Sequence, residues 1–214
     1  MSATLPFPEP LTEAYKPQNI SQFVGLAKQK TILANLAANP RPCGLLFWGG
    51  PGVGKSSMAF AFARAIDAEI HHLPSQDSKL ETLQSVTAMC HRVPYDFQTG
   101  KTCRFHVVVL DEADLLSSAA QNYLLSKLDG TAPCPSTFFI LTANSIEKFE
   151  DRLISRLIQL PKFNSYAAGD DIRDLLIRIW KDRAGGAPIP DFSRFPTSNP
   201  REALQALEVT LLSL

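Results

Sequence analysis

The segment Gly49-Gly50-Pro51-Gly52-Val53-Gly54-Lys55-Ser56 limits what this chain can fold into more than any other. It fits the pattern G-x-x-x-x-G-K-[ST]. An apolar run, Leu45 to Trp48, leads into it, and Ser57 and the good helix formers from Met58 to Ile66 follow. The pattern thus stands between a buried strand and a helix N-terminus, where its mechanism requires it. Glycines let such a loop turn and bring backbone N–H groups close to phosphate oxygens, and the helix adds the positive end of its dipole. Gly49, Gly50, Pro51, Gly52, Val53, Gly54, Lys55, Ser56 and Ser57 are the expected cradle for a nucleotide's phosphates. Lys55 is expected to reach the β- and γ-phosphates, and the Ser56 hydroxyl to ligate Mg²⁺. A glycine turn that only ends a strand is the alternative, and the strand–loop–helix setting disfavours it.

At 214 residues, one core domain with a smaller appendage is expected. Lys+Arg and Asp+Glu balance at 21 each, so the chain as a whole has no bulk attraction to DNA or to anionic lipid. Any nucleic-acid contact must come from a local patch. The stretch Ser78 to Val93 mixes Lys79, His91 and Arg92 with Glu81 and forms no basic stripe. Four cysteines lack C-x-x-C spacing. A zinc site from Cys90, His91, Cys103 and His106 matches no common structural pattern, so reduced thiols are the expectation. The first residues lack the basic and apolar regions of a signal peptide, and no apolar run reaches membrane-spanning length. A cytoplasmic protein without membrane contact is expected.

Apolar runs and periodicity order the rest. Residues 1–14 read as a tail or extended arm. Lys28 to Ala38 is helical and stopped by Asn39-Pro40. Glu69 to Leu73, Phe105 to Leu110, Phe138 to Leu141 and Leu157 to Leu160 read as further strands. Ser78 to Val93, the stretch capped by Ser117 or Ser118, and Asp151 to Ser155 read as helices, and Pro94 to Lys101 as loop. Alternation of this kind predicts an α/β fold with a parallel sheet. Asp170 to Ala184 and Asn199 to Leu212 have no strand beside them and predict a small all-α appendage. Asn199, Pro200 and Glu202 mark a helix start.

Asp111 and Glu112 follow the Phe105–Leu110 run, at the end of a parallel strand where ligands bind. Asp111 is expected to hold Mg²⁺, and Glu112 to polarise an attacking water. Two acids that merely cap a strand are the alternative.

From Glu13 to Phe163 the chain resembles the AAA+ ATPases, and within them the clamp-loader subunits of the replication factor C and bacterial gamma/tau type. Glu13-Ala14-Tyr15-Lys16-Pro17 with Phe23-Val24-Gly25 resembles the family's adenine-packing segment, with Lys16 in place of its usual arginine. The resemblance implies that Tyr15, Val24 and Gly25 contact ATP. Leu110-Asp111-Glu112-Ala113-Asp114 resembles Walker B, and Thr142-Ala143-Asn144 falls at sensor 1, implying that Asn144 bonds the attacking water or γ-phosphate. Leu153-Ile154-Ser155-Arg156-Leu157 resembles L-x-S-R-C, which implies that Arg156 acts in trans as an arginine finger. Ser198-Asn199-Pro200-Arg201 falls at sensor 2 and implies a γ-phosphate contact for Arg201. Asp111-Glu112-Ala113-Asp114 also spells a DEAD-box helicase signature; the P-loop type, sensor asparagine and single core argue against that reading.

The resemblance implies a P-loop fold with a five-stranded parallel sheet flanked by helices. It divides the chain into a tail (1–12), an ATPase core (13–164) and a reduced helical lid (165–214). Clamp loaders carry a fuller lid and a collar that these residues do not include. Assembly, with itself or other AAA+ subunits, is then expected to rest on ATPase contacts, partner subunits or DNA. The implied function is Mg-dependent ATP hydrolysis that drives remodelling on DNA, with a sliding clamp as the implied partner. A branch-migration or other remodelling ATPase is one alternative. A slow, ATP-gated binding module that needs partner subunits is another.

Overall fold

The apolar runs pair side by side into one parallel sheet. In chain order the first elements are α1 (Leu11–Ala14), α2 (Ala27–Ala38), β1 (Gly44–Trp48), α3 (Lys55–Ala65), β2 (Ala68–Leu73) and α4 (Leu80–Met89). The two-residue strands β3 (Tyr95–Asp96) and β4 (Lys101–Thr102) come next. Then follow β5 (Phe105–Leu110), α5 (Ser118–Leu128), β6 (Thr137–Ala143), α6 (Asp151–Ile154), β7 (Leu157–Gln159), α7 (Gly169–Arg183) and α8 (Pro200–Leu212). The computed structural model describes residues 9–75, 79–130, 133–164, 169–197 and 199–213. Most of the expected N-terminal tail, Ser78 and Ser198 lie outside them.

The sheet order is β2-β5-β6-β1-β7, and every pairing is parallel. Its central strands are apolar without alternation because both faces are covered. Leu45, Phe47, Val107, Val109, Phe138 and Ile140 face one layer with Met58 and Phe62 of α3 and Leu33 of α2. Leu46, Val108, Leu110, Phe139 and Leu141 face the other, with Leu83 of α4, Leu124 of α5 and Leu153 of α6. Each such Leu or Phe contributes about 1.5–3 kcal/mol by leaving water. The expected five strands and their flanking helices are all present.

A third cluster joins α7 and α8. Ile172, Leu176, Ile179 and Trp180 recur on one face of α7 and pack against Ala203, Leu204 and Leu207 of α8. Leu11 of α1 belongs to this cluster, and its backbone N–H donates to Glu208 Oε1 at 3.3 Å. The segment read as an arm therefore has a helical turn docked on the C-terminal helices. Ile20 and Phe23, a few residues on, are buried in the sheet layer instead. The N-terminal segment thus bridges the two bodies.

Pro94 to Lys101 is not plain loop. β3 and β4 pair antiparallel, with Tyr95 opposite Thr102 and Asp96 opposite Lys101. Asp96 closes the turn by accepting from Gln98 N–H and Thr99 Oγ1, a local carboxylate turn that gives no hydrophobic signal. Among the described residues, no helix is long and apolar enough to cross a membrane.

Candidate active site

β1, β5 and β6 end on the same edge of the sheet, in register at Trp48↔Ala143 and Leu110↔Leu141. The residues just past those ends, Gly49, Asp111 and Asn144, are thereby brought together. Gly49 continues from β1 with its N–H bonded to Ala143 O at 3.1 Å. Gly52 and Gly54 have φ of +73° and +91°, and Gly54 leads directly into α3. A side chain at Gly52 would strike Asn199. The loop is built for backbone, and its last turn delivers Lys55 and Ser56 at a helix N-terminus.

Lys55 is buried, with its three ammonium hydrogens spread over Gly49 O (2.8 Å), Gly50 O (2.7 Å) and Asn144 Oδ1 (3.0 Å). Burial pulls its pKa below the usual lysine value, and Asp114 and Asp111 oppose that shift. Ser56 Oγ donates to Asp111 Oδ1 at 2.6 Å, and Thr142 Oγ1 donates to the same oxygen at 2.9 Å. Asp111 Oδ2 lies 2.7 Å from His72 Nε2. A hydroxyl and a carboxylate oxygen at this separation form the hard donor set that Mg²⁺ prefers, so the residues present fit that ion.

Glu112 adopts a left-handed backbone, φ 50°, with its N–H donating to Thr142 Oγ1 at 3.3 Å. This conformation costs a non-glycine residue about 1 kcal/mol or more and is tolerated where neighbours impose it. Glu112, Lys55, Ser56, Ser57, Asp111, Asn144 and Arg201 line one cavity of about 250 Å³, together with Pro51, Gly52, Gly54, Thr142 and Ala143. Asn144 is tied to the acidic turn by its own N–H, which donates to Asp114 Oδ1 at 3.3 Å.

A cavity of about 710 Å³ adjoins it and shares Gly52, Gly54, Ser57 and Arg201. Phe23 and Val53 line it from the sheet core, Leu204 and Arg178 from the helical body, and Tyr15 and Val24 from the N-terminal segment where it packs on that body. Gln22, which lines it, belongs to a reciprocal cap in which Gln22 N–H donates to Asn19 Oδ1 and Asn19 N–H to Gln22 Oε1. Tyr15 Oη donates to Asp182 Oδ2 at 2.5 Å and accepts from Arg183 Nε at 3.1 Å. Gly25, with φ 61°, turns the chain beside Val24 and borders neither cavity; Gly49 and Gly50 take part through their carbonyls.

Arg156 stands apart from both cavities. It lies just past α6, partly exposed, with Nε donating to Asp129 at the C-terminal end of α5 and one terminal nitrogen to Ser155 Oγ at 2.9 Å. Gln121 fixes this corner. Its side chain bonds Leu116 O, Lys148 O and Glu150 N–H and so ties α5 to the start of α6.

Three contributors escaped the reading of the sequence. His72 reaches Asp111 from β2, the strand around Glu69 to Leu73. Thr142 links Asp111 to the Glu112 backbone. Asn199, read as a helix cap, also stands against Gly52. A histidine on an edge strand carries no spacing signal that would announce such a contact.

A family model described as "ATPase family associated with various cellular activities (AAA)" matches residues 45–163. Replication factor C small subunit 1 of Pyrobaculum islandicum is 31% identical over 146 residues, covering 67% of this chain and 44% of that protein. Replication factor C subunit 3 of Saccharomyces cerevisiae is 28% identical over 153 residues, covering 69% and 43%. The chain thus spans less than half the length of these relatives. The RuvB Holliday junction branch migration motor of Thermotoga maritima superposes with a TM-score of 0.68 at 17% identity, over 93% of this chain and 67% of that one. At that identity the likeness extends to the fold alone. With the phosphate loop, the acidic strand end and the parallel sheet all within the matched stretch, the chain belongs to the AAA family of ATPases.

Proposed function

We propose that this chain binds ATP in the two joined cavities and hydrolyses it in a Mg²⁺-dependent reaction. The observation that carries the reading is the convergence of Lys55, Ser56, Asp111, Glu112, Asn144 and Arg201 on one cavity at the C-terminal edge of the sheet. Backbone N–H groups of Gly52 to Ser56 and the α3 dipole bind the phosphates. Lys55 exchanges its carbonyl partners for phosphate oxygens, and Asn144 holds its amide toward the γ-phosphate or the attacking water. Glu112 accepts a hydrogen bond from that water and orients it. Arg201, at the start of α8, brings positive charge from the helical body, so that phosphate binding draws the two bodies together. The larger cavity, with Tyr15 and Val24, takes the base and ribose. Ser56 and Asp111 hold Mg²⁺, which neutralises charge on the phosphate oxygens when bound.

Arg156 completes a neighbouring subunit's site in trans, because it is exposed and remote from its own cavity. Its guanidinium stabilises charge that develops in transfer and not in the ground state. We infer an oligomeric machine of the cytoplasm, formed with itself or with other AAA+ subunits. It acts on DNA with a sliding clamp, in the manner of the replication factor C relatives. Branch migration, other remodelling and slow ATP-gated binding are the competing roles. Hydrolysis measured with primed DNA plus a clamp, with duplex or junction DNA alone, and with neither, separates them. Stimulation confined to primed DNA with a clamp supports the loader role; stimulation by junctions alone contradicts it.

A further inference from the structure

A second polar cluster lies on the other face of β2. Glu69 and His71 alternate onto that face, and His106 stands beside them on β5, in register with Glu69. Cys90, at the end of α4, closes over the same spot. The ligating atoms of His71, Cys90 and His106 lie within 4.8 Å of one another. His71 Nε2 is 3.0 Å from His106 Nδ1. The Glu69 carboxylate is 3.3 Å from His106 Nδ1 and 3.9 Å from His71 Nε2. Cys90 and His106 are each 1% exposed and His71 is 9% exposed.

The cluster is rich in acceptor atoms. His106 Nε2 lies 3.0 Å from Arg92 O. A carbonyl only accepts, so Nε2 carries the proton and a neutral His106 turns the Nδ1 lone pair inward. His71 Nε2 then donates to His106 Nδ1, and the Cys90 thiol is the other donor among the clustered side chains, against His106 Nδ1 and the two Glu69 oxygens. Glu69 Oε2 gains one more donor from outside the cluster, Tyr95 N–H at 2.8 Å. The His106 Nδ1 lone pair thus faces a Glu69 oxygen at 3.3 Å, an acceptor against an acceptor, and a cation between them would relieve that repulsion. The bond from His106 to Arg92 O is also the orienting contact that metal-bound histidines make through their second nitrogen.

We propose that His71 Nε2, His106 Nδ1 and Cys90 Sγ bind a zinc ion, and that the Glu69 carboxylate, which stands beside both histidines but outside this converging triad, turns in as fourth ligand. Two nitrogens held tetrahedrally at about 2.0 Å stand about 3.3 Å apart, so the histidine pair opens by only a few tenths of an ångström. Two imidazoles and a thiolate suit zinc and are too soft for Mg²⁺ or Ca²⁺. Binding releases the Cys90 thiol proton to solvent and shifts the His71 proton to Nδ1. Zn²⁺ with one thiolate and one carboxylate then sums to zero charge, as a buried site requires. The ion fastens the end of α4 and, through Glu69 and Tyr95, the β3–β4 hairpin to the sheet edge. The next residue on β2 is His72, which touches Asp111. The set differs from the one considered from spacing: His91 is exposed, and Cys103 is not among the converging atoms. His71 lies too far back in the sequence for spacing to have linked it.

The test uses the full chain, purified without a histidine tag, loaded with Zn²⁺ or with Co²⁺ as a coloured substitute, and dialysed. The expected result is one zinc per chain by mass spectrometry, and a thiolate-to-cobalt charge-transfer band in the cobalt form. Cys90→Ala should abolish the band and weaken zinc binding by about tenfold or more, while Cys103→Ala and His91→Gln should keep both. Folded wild-type chain that retains neither metal overturns the proposal whatever the variants do. Cobalt bound without a thiolate band, or a band that persists in Cys90→Ala, overturns it too.

Discussion

Asn199 Oδ1 occupies the space that a side chain on Gly52 would need, only 2.2 Å from where its Cβ would stand. The same oxygen caps α8, accepting from Arg201 N–H at 3.0 Å and Glu202 N–H at 3.5 Å. One side chain therefore sets both the start of α8 and its distance from the phosphate loop. Gly52→Ala forces Asn199 away and strains a backbone at φ +73°. We expect ATP affinity to fall by about tenfold or more, since about 1.4 kcal/mol of displacement or strain suffices. Asn199→Ala should lower stability by about 1 kcal/mol through loss of the cap. Isothermal titration with ATP and denaturant melts check the two.

Asp111 accepts from Ser56, Thr142 and His72 at once. Asp111→Asn should leave metal-free nucleotide binding nearly unchanged and remove most of the gain that Mg²⁺ confers. Binding measured with and without Mg²⁺ decides this. An unchanged Mg²⁺ effect would take the ion away from Asp111.

Much of this was legible because both faces of the sheet are covered: Phe105–Leu110 and the strand around Phe138–Leu141 are apolar throughout and admit one reading. The phosphate loop was legible because its geometry demands glycines at fixed spacing. The β3–β4 hairpin was not, since two-residue strands with Asp96 and Lys101 carry no hydrophobic period. Nor was the docking of Leu11 on α8, a contact spanning almost the whole sequence that no local pattern encodes. His72 and His71 face opposite sides of one strand, toward different sites, and only the pairing of β2 with β5 separates their roles.

Arg156 is bonded to Asp129 rather than to anything in the cavities. In trans, it must exchange that carboxylate for a neighbour's phosphate. Arg156→Ala should reduce hydrolysis by about a thousandfold in assemblies and leave ATP binding intact. Mixing it with Glu112→Gln subunits should restore some turnover, because wild-type Arg156 then meets an intact Glu112. Failure to restore any would contradict the trans role.

Cys43 is half-buried beside Gly44, and burial raises its thiol from the ordinary 9.0 to about 11. Between those values the unfolded chain loses this proton and the folded chain keeps it. The contribution to stability is therefore complete below pH 9 and falls away as pH rises toward 11. Denaturant midpoints at about pH 8 and pH 10 should drop more in the wild type than in Cys43→Ala. Equal drops would show that the thiol does not contribute.

The most direct test compares ATP binding and Mg²⁺-dependent turnover in the wild type and in Glu112→Gln, at protein concentrations where the rate per chain no longer rises. The account predicts that both proteins bind ATP with similar affinity and that the variant's turnover falls by at least about a hundredfold. A Glu112→Gln chain that hydrolyses ATP as fast as the wild type would contradict it.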